Sequence, residues 1–150
     1  MTSIRNYIIV FLCVMSLSSW AQTTEMEQRY NALAARFEVR DKQLAKDLKA
    51  YLQAFPYTTF ADEVKFMQGV LQVEKGQNKQ GLKTLESIDL KALTRPHQLD
   101  YTFYRGYAYL MQQDYHKASI YFGQLSKSDT RYATHGTYYY GYCLYKEQKY

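Results

Sequence analysis

Three glycines, Gly69, Gly106 and Gly141, sit at corresponding points of one recurring pattern, 37 and 35 residues apart. A helix-like stretch runs through each of them into a turn, and after the first two a second helix-like stretch follows. A helix pair of this size cannot bury its own apolar face, so a period in the mid-thirties points to helical units that stack on one another. Pro numbers only two and no run alternates apolar with polar as strands do. The expected fold class is therefore all-α.

The middle unit carries the pattern most fully. It reads Gly106-Tyr107-Ala108-Tyr109, then, after five residues, Tyr115, Ala118 and Phe122. The unit before it has Gly69 and Leu71, a turn at Gly76-Gln77-Asn78, and Gly81 and Leu85 in the Ala118 and Phe122 places. In this pattern the chain resembles the tetratricopeptide repeat family. The resemblance implies an α-α superhelix, a solenoid of antiparallel helix pairs. It gives Gly69, Gly106 and Gly141 the role of small residues at the helix-helix contact, and Tyr109, Ala118 and Phe122 that of packing residues within the unit. The family's Trp is missing from all three units, and no Pro follows Phe122. The third unit, from Gly141 to Tyr150, stops where its second helix is due, so the last repeat is expected to be incomplete. That expectation has two forms: a piece of a longer protein, or a face that self-associates.

Three segments are expected. Residues 1–21 have the form of a signal peptide: Arg5, an apolar stretch from Tyr7 to Leu17, then Ser19-Trp20-Ala21 before Gln22. The apolar run is shorter than the roughly 20 residues a membrane span needs; an uncleaved N-terminal anchor is the alternative. Residues 22–56 form an N-terminal helical segment, a degenerate repeat with Leu33, Phe37, Leu44, Leu48 and Leu52 as its apolar stripe and a break near Arg40-Asp41. Residues 57–150 hold the repeats, at about 59–88, 96–126 and 131–150. Loss of residues 1–21 leaves Cys143 as the sole cysteine, a small packing residue with no disulfide partner. The run Phe55-Pro56-Tyr57-Thr58-Thr59-Phe60-Ala61-Asp62-Glu63 is similar to the inter-repeat junction of periplasmic repeat proteins in the outer-membrane assembly and Tol-coordinator families. The tyrosine-rich style also resembles envelope repeat proteins of Bacteroidetes-type bacteria. Both resemblances imply an exported chain, periplasmic or associated with the outer membrane.

The formal charge of +5 is spread along the chain, with Lys42, Lys46 and Lys49 lying among Asp41 and Asp47, so no basic stripe for nucleic acid forms. His97, His116 and His135 lack metal-ligand spacing. Asp62-Glu63 suits a helix N-terminus, and Ser126 and Ser128 have no nucleophile-elbow context. No enzyme, metal or cofactor is expected. The resemblance instead implies a groove lined by first helices that takes a partner segment. Its face carries one triplet per unit: Phe66, Val70 and Val73; Phe103, Tyr107 and Leu110; Tyr138, Tyr142 and Tyr145. Glu63, Asp100 and His135 lie one turn earlier on that face. The competing role for the stripe is core packing. The function expected is a protein or peptide interaction scaffold of the cell envelope. A glycan-binding part of a nutrient-uptake complex is the alternative.

Overall fold

A computed structural model describes residues 23–148, so the expected signal peptide and Tyr150 lie outside the described residues. Among the described residues the chain is helical throughout, with seven α-helices, one 3-10 turn and no strand. The helices are α1 (residues 23–38), α2 (Leu44–Ala54), α3 (Ala61–Glu74), α4 (Asn78–Glu86), α5 (Arg95–Met111), α6 (Tyr115–Ser126) and α7 (Ala133–Lys146). The 3-10 turn, Leu90–Ala92, joins α4 to α5. The chain divides into two compact units between Thr58 and Thr59.

The first unit contains α1 and α2. Leu33 and Phe37 on α1, and Leu44 and Leu48 on α2, are spaced four apart and buried, one stripe per helix. Leu52 is only half-buried; Tyr51 takes the inner position instead. Its hydroxyl donates to the Met26 carbonyl at 3.1 Å and shares a hydrogen bond of 3.2 Å with the Thr58 hydroxyl, so a polar tip is satisfied inside.

The second unit contains α3 to α7. α3 packs on α4, α5 on α6, and α6 on α7, while α5 also touches α3 and α4. Its core is Val64, Met67, Val70, Leu85, Phe122 and Leu125 with Cys143, all with almost no exposure. Two small-residue contacts set the helix spacing. A Cβ on Gly69 would stand 2.7 Å from Leu85 Cδ2, and one on Gly106 would stand 3.0 Å from Tyr121 Cβ and 3.2 Å from the Phe122 ring. Gly141 was expected to play the same part and does not: nothing lies within 4 Å of the place its Cβ would occupy. Among the described residues no helix covers that side of α7. The close approach in α7 is made one turn earlier by Gly136, whose Cβ would stand 2.6 Å from the backbone nitrogen of Ser126.

Four first helices end in the same way. Arg40, Gly76, Gln113 and Gln148 have φ of 53°, 76°, 62° and 57°, at spacings of 36, 37 and 35 residues. In the first three, the amide after this residue returns to the carbonyl five positions back: Asp41 to Arg36 at 3.1 Å, Gln77 to Gln72 at 2.9 Å, and Asp114 to Tyr109 at 3.0 Å. This is the left-handed stop that satisfies the last helical carbonyls. Only Gly76 fits it without steric cost.

Two buried carboxylates tie successive first helices together. Glu63 on α3 accepts from the Thr94 amide at 2.6 Å and pairs with His97 Nδ1 at the start of α5. Asp100, 37 residues later on α5, accepts from the Tyr132 hydroxyl at 2.7 Å and from Arg131 just before α7. Glu63 and Asp100 are therefore inter-helix fasteners rather than groove residues. His135, at the matching place on α7, is exposed.

Candidate partner-binding groove

The second unit bears two clefts that meet at Met111. One, of about 380 Å³, is walled by Val73 and Glu74 at the end of α3 and by Phe103, Tyr104, Tyr107 and Met111 on α5. The other, of about 460 Å³, is walled by Leu110 and Met111, by Tyr115 at the start of α6, and by Tyr138, Tyr139 and Tyr142 on α7. Together they trace an aromatic trough over the C-terminal turns of α3 and α5 and across to α7.

A ring cluster shapes the wall. Phe103 stacks on Tyr132 with centroids 4.8 Å apart, and Phe122 stacks on Tyr139 at 4.9 Å. Tyr107 meets Phe103 at 6.2 Å in a stacked arrangement and Tyr139 at 6.2 Å edge to face. Each such pair contributes roughly 0.5–1.5 kcal/mol beyond the area it buries, so the rings that line the trough are themselves held in place. Burial, followed by the neighbouring Tyr107 and Tyr138, pushes the Tyr139 hydroxyl above its usual range, so it is a neutral hydrogen-bonding group at physiological pH. The Tyr104 hydroxyl donates to Glu74 Oε1 at 2.6 Å, orienting both groups at the rim. Glu74 is the one charged residue lining the two clefts.

The residues expected to form the groove divide. Val73, Phe103, Tyr107, Leu110, Tyr138 and Tyr142 line the trough. Val73 and Leu110 do so from buried positions, contributing floor rather than surface. Phe66 and Val70 are fully buried and offer nothing to a partner. The physical reason is that α3 is covered on more than one side; the Phe66 ring lies 4.6 Å from that of His97, which Glu63 holds over it. Tyr145 is exposed but lines neither cleft. Sequence reasoning missed Met111 and Tyr139. Met111 lies four residues beyond Tyr107, on the same helix face, where the +4, +3 spacing had selected Leu110 instead. Tyr139 aligns with Tyr104 through the glycine register, a row the triplets left out. Of the packing residues, Tyr109 stacks on Tyr121 at 5.8 Å, and Ala118 and Phe122 are fully buried.

No group of three His, Cys, Asp or Glu among the described residues could hold a metal ion. No helix among them is long and apolar enough to cross a membrane. The Cys143 thiol is fully buried, and burial with the nearby Glu147 pushes it up to about 11. At pH 8 roughly one thiol in a thousand is then ionised. Site-resolved alkylation with iodoacetamide should leave Cys143 largely unmodified in the native chain and label it in urea.

Comparison with known proteins finds no matching family model, no matching curated protein and no matching solved structure.

Proposed function

We propose that this chain is a non-catalytic interaction scaffold that holds an extended partner segment along the aromatic trough. One observation carries the reading: two clefts on neighbouring helix pairs join at Met111 into one surface lined by tyrosines, with a single charge at its rim. Tyrosine gives a large, stiff contact area with a polar tip, which suits recognition of a peptide whose own backbone carries donors and acceptors. The repeat pattern supports a tetratricopeptide-like superhelix built from these pairs. The N-terminal pattern and the Phe55–Glu63 junction support an exported protein of the cell envelope. Glycan binding is the second reading, favoured by the outward faces of Tyr138 and Tyr145, which could stack on sugar rings.

Met111 provides the test, because it is 45% exposed and its replacement should spare the core. An array of ten-residue random peptides and a glycan array are probed with the chain and with Met111→Glu. The expected result is retention of a peptide subset, weakened at least tenfold by Met111→Glu with an unchanged melting temperature. Retention of glycans alone would move the assignment to the second reading. Retention of neither, or peptide binding indifferent to Met111, would end the scaffold proposal.

A further inference from the structure

The cleft between α3 and α5 has a chemistry of its own within the trough. Val73, Phe103, Tyr107 and Met111 give it apolar and aromatic walls, while its polar groups come from the turn between α3 and α4 and from Tyr104. Glu74, the last residue of α3, accepts the Tyr104 hydroxyl at 2.6 Å. A carboxylate offers roughly four acceptor positions, so this bond orients Glu74 without exhausting it. Asn78, the first residue of α4, lines the same cleft, and its Oδ1 is buried with no hydrogen-bond partner among the described residues. A shielded acceptor left unpaired costs free energy until a donor reaches it. With the Tyr104 proton already given to Glu74, the cleft holds out a carboxylate and a bare amide oxygen.

The rings favour the same kind of guest. Tyr104 and Tyr107 stand three residues apart, as neighbours on one face of α5. Aromatic faces attract cations, and this chain uses that attraction repeatedly: Arg105 stands over Tyr121 at 4.9 Å, Lys117 over Tyr109 at 5.1 Å and Arg131 over Tyr132 at 5.1 Å. Among the described residues none of its own cations stands over Phe103 or Tyr107. The opposing influence is the N-terminus of α4, which carries roughly half a unit of positive charge. The full charge of Glu74 exceeds it, and the neighbouring Lys75 and Lys79 do not line the cleft.

We infer that this cleft is the specificity pocket of the trough and takes a long cationic side chain, Arg or Lys, from the partner segment. The charged tip meets Glu74 and Asn78 Oδ1, and the aliphatic stem lies along Val73 and Tyr107. Arg is the better fit, since its planar group hydrogen-bonds and stacks at once. The inference rests on the scaffold reading and narrows it to partners that carry a basic residue. It also runs against the charge of the whole chain. A formal charge of +5 gathers acidic peptides by its general field, so a preference for basic ones has to come from a local site.

The ten-residue peptide array, probed with the full chain, reads that preference from the composition of the retained peptides. Arg and Lys together are expected roughly threefold above their share of the array. The tightest such peptide, fluorescein-labelled, should lose roughly tenfold in affinity by anisotropy when its Arg is replaced by citrulline or its Lys by norleucine. Glu74→Gln should weaken the basic peptide by a similar factor and leave the neutral one unchanged. That exchange keeps an acceptor for Tyr104 and lies at an exposed position, so the melting temperature should hold. Retained peptides without a basic excess, a basic peptide indifferent to Glu74→Gln, or a loss shared by the neutral peptide would overturn the inference and leave the scaffold reading in place. Retention of no peptide at all would end both.

Discussion

Gly136→Ala should destabilise the chain by about 2–3 kcal/mol, while Gly141→Ala, five residues along the same helix, should stabilise it by up to about 1 kcal/mol. Both exchanges add one methyl group and raise helix propensity equally. They differ in what the methyl meets. At Gly136 it would fall 2.6 Å from the Ser126 nitrogen and 2.8 Å from the Leu125 carbonyl carbon, both backbone atoms. A side chain can rotate away from such a contact; a helix backbone has to move as a body, and α6 is held in place by Phe122 and Leu125 inside the core. At Gly141 the methyl meets open space. Urea titration of the two variants should give midpoints displaced in opposite directions. Displacement in the same direction would mean that the α6–α7 contact is looser than the 2.6 Å approach implies.

Glu63→Ala should remove about 3 kcal/mol, the typical loss when one member of a buried pair is deleted. Glu63 is buried, its partner His97 is nearly so, and the Thr94 amide loses its acceptor as well. The helix start of α5 and the cover over Phe66 both depend on this fastener. The effect should depend on pH with a definite sign. Burial disfavours the Glu63 carboxylate, but the hydrogen bonds from His97 and Thr94 together outweigh it, and the carboxyl lies below its usual range. A group whose folded value is depressed contributes fully above its unfolded value and loses that contribution as pH falls through the folded one. Stabilities of the parent and of Glu63→Ala should therefore differ most at neutral pH and converge in acid. A gap that stays constant down to pH 2 would assign the loss to packing alone.

The sequence made the helical class legible because periodicity and the scarcity of Pro bear directly on backbone choice. Gly69, Gly106, Ala118 and Phe122 were legible for a related reason: residue size reports how closely two helices approach. Gly141 was not, since a repeat register identifies corresponding positions without saying whether a neighbour stands opposite. Gly136 escaped notice because it aligns with Val64 and Tyr101 and breaks the pattern it belongs to. The fasteners were also hidden. Glu63 and Asp100 reach partners 31 to 34 residues ahead, and nothing in a local window separates a buried carboxylate with a distant partner from a solvated one at a helix start. Along the trough, side-chain chemistry decided the outcome. Aliphatic Val70 is fully buried, whereas at the matching positions Tyr107 is half-buried and Tyr142 exposed.

The left-handed helix stops at Arg40, Gly76, Gln113 and Gln148 carry a consequence for how the chain folds. At the first three the backbone reverses within a few residues, so α1, α3 and α5 each meet their successor after a short loop closure, which costs little entropy. In the second unit the main helix contacts join elements that are adjacent or separated by one short helix and a turn. Such low contact order places folding in the microsecond-to-millisecond range, with assembly able to begin at any of the turns. The left-handed residues at three of the four stops are not glycine, so each nucleating turn forms against a local steric cost. Gln113→Gly, which relieves that cost at the turn between α5 and α6, should act mainly on the folding rate if that turn forms early and mainly on unfolding if it closes last.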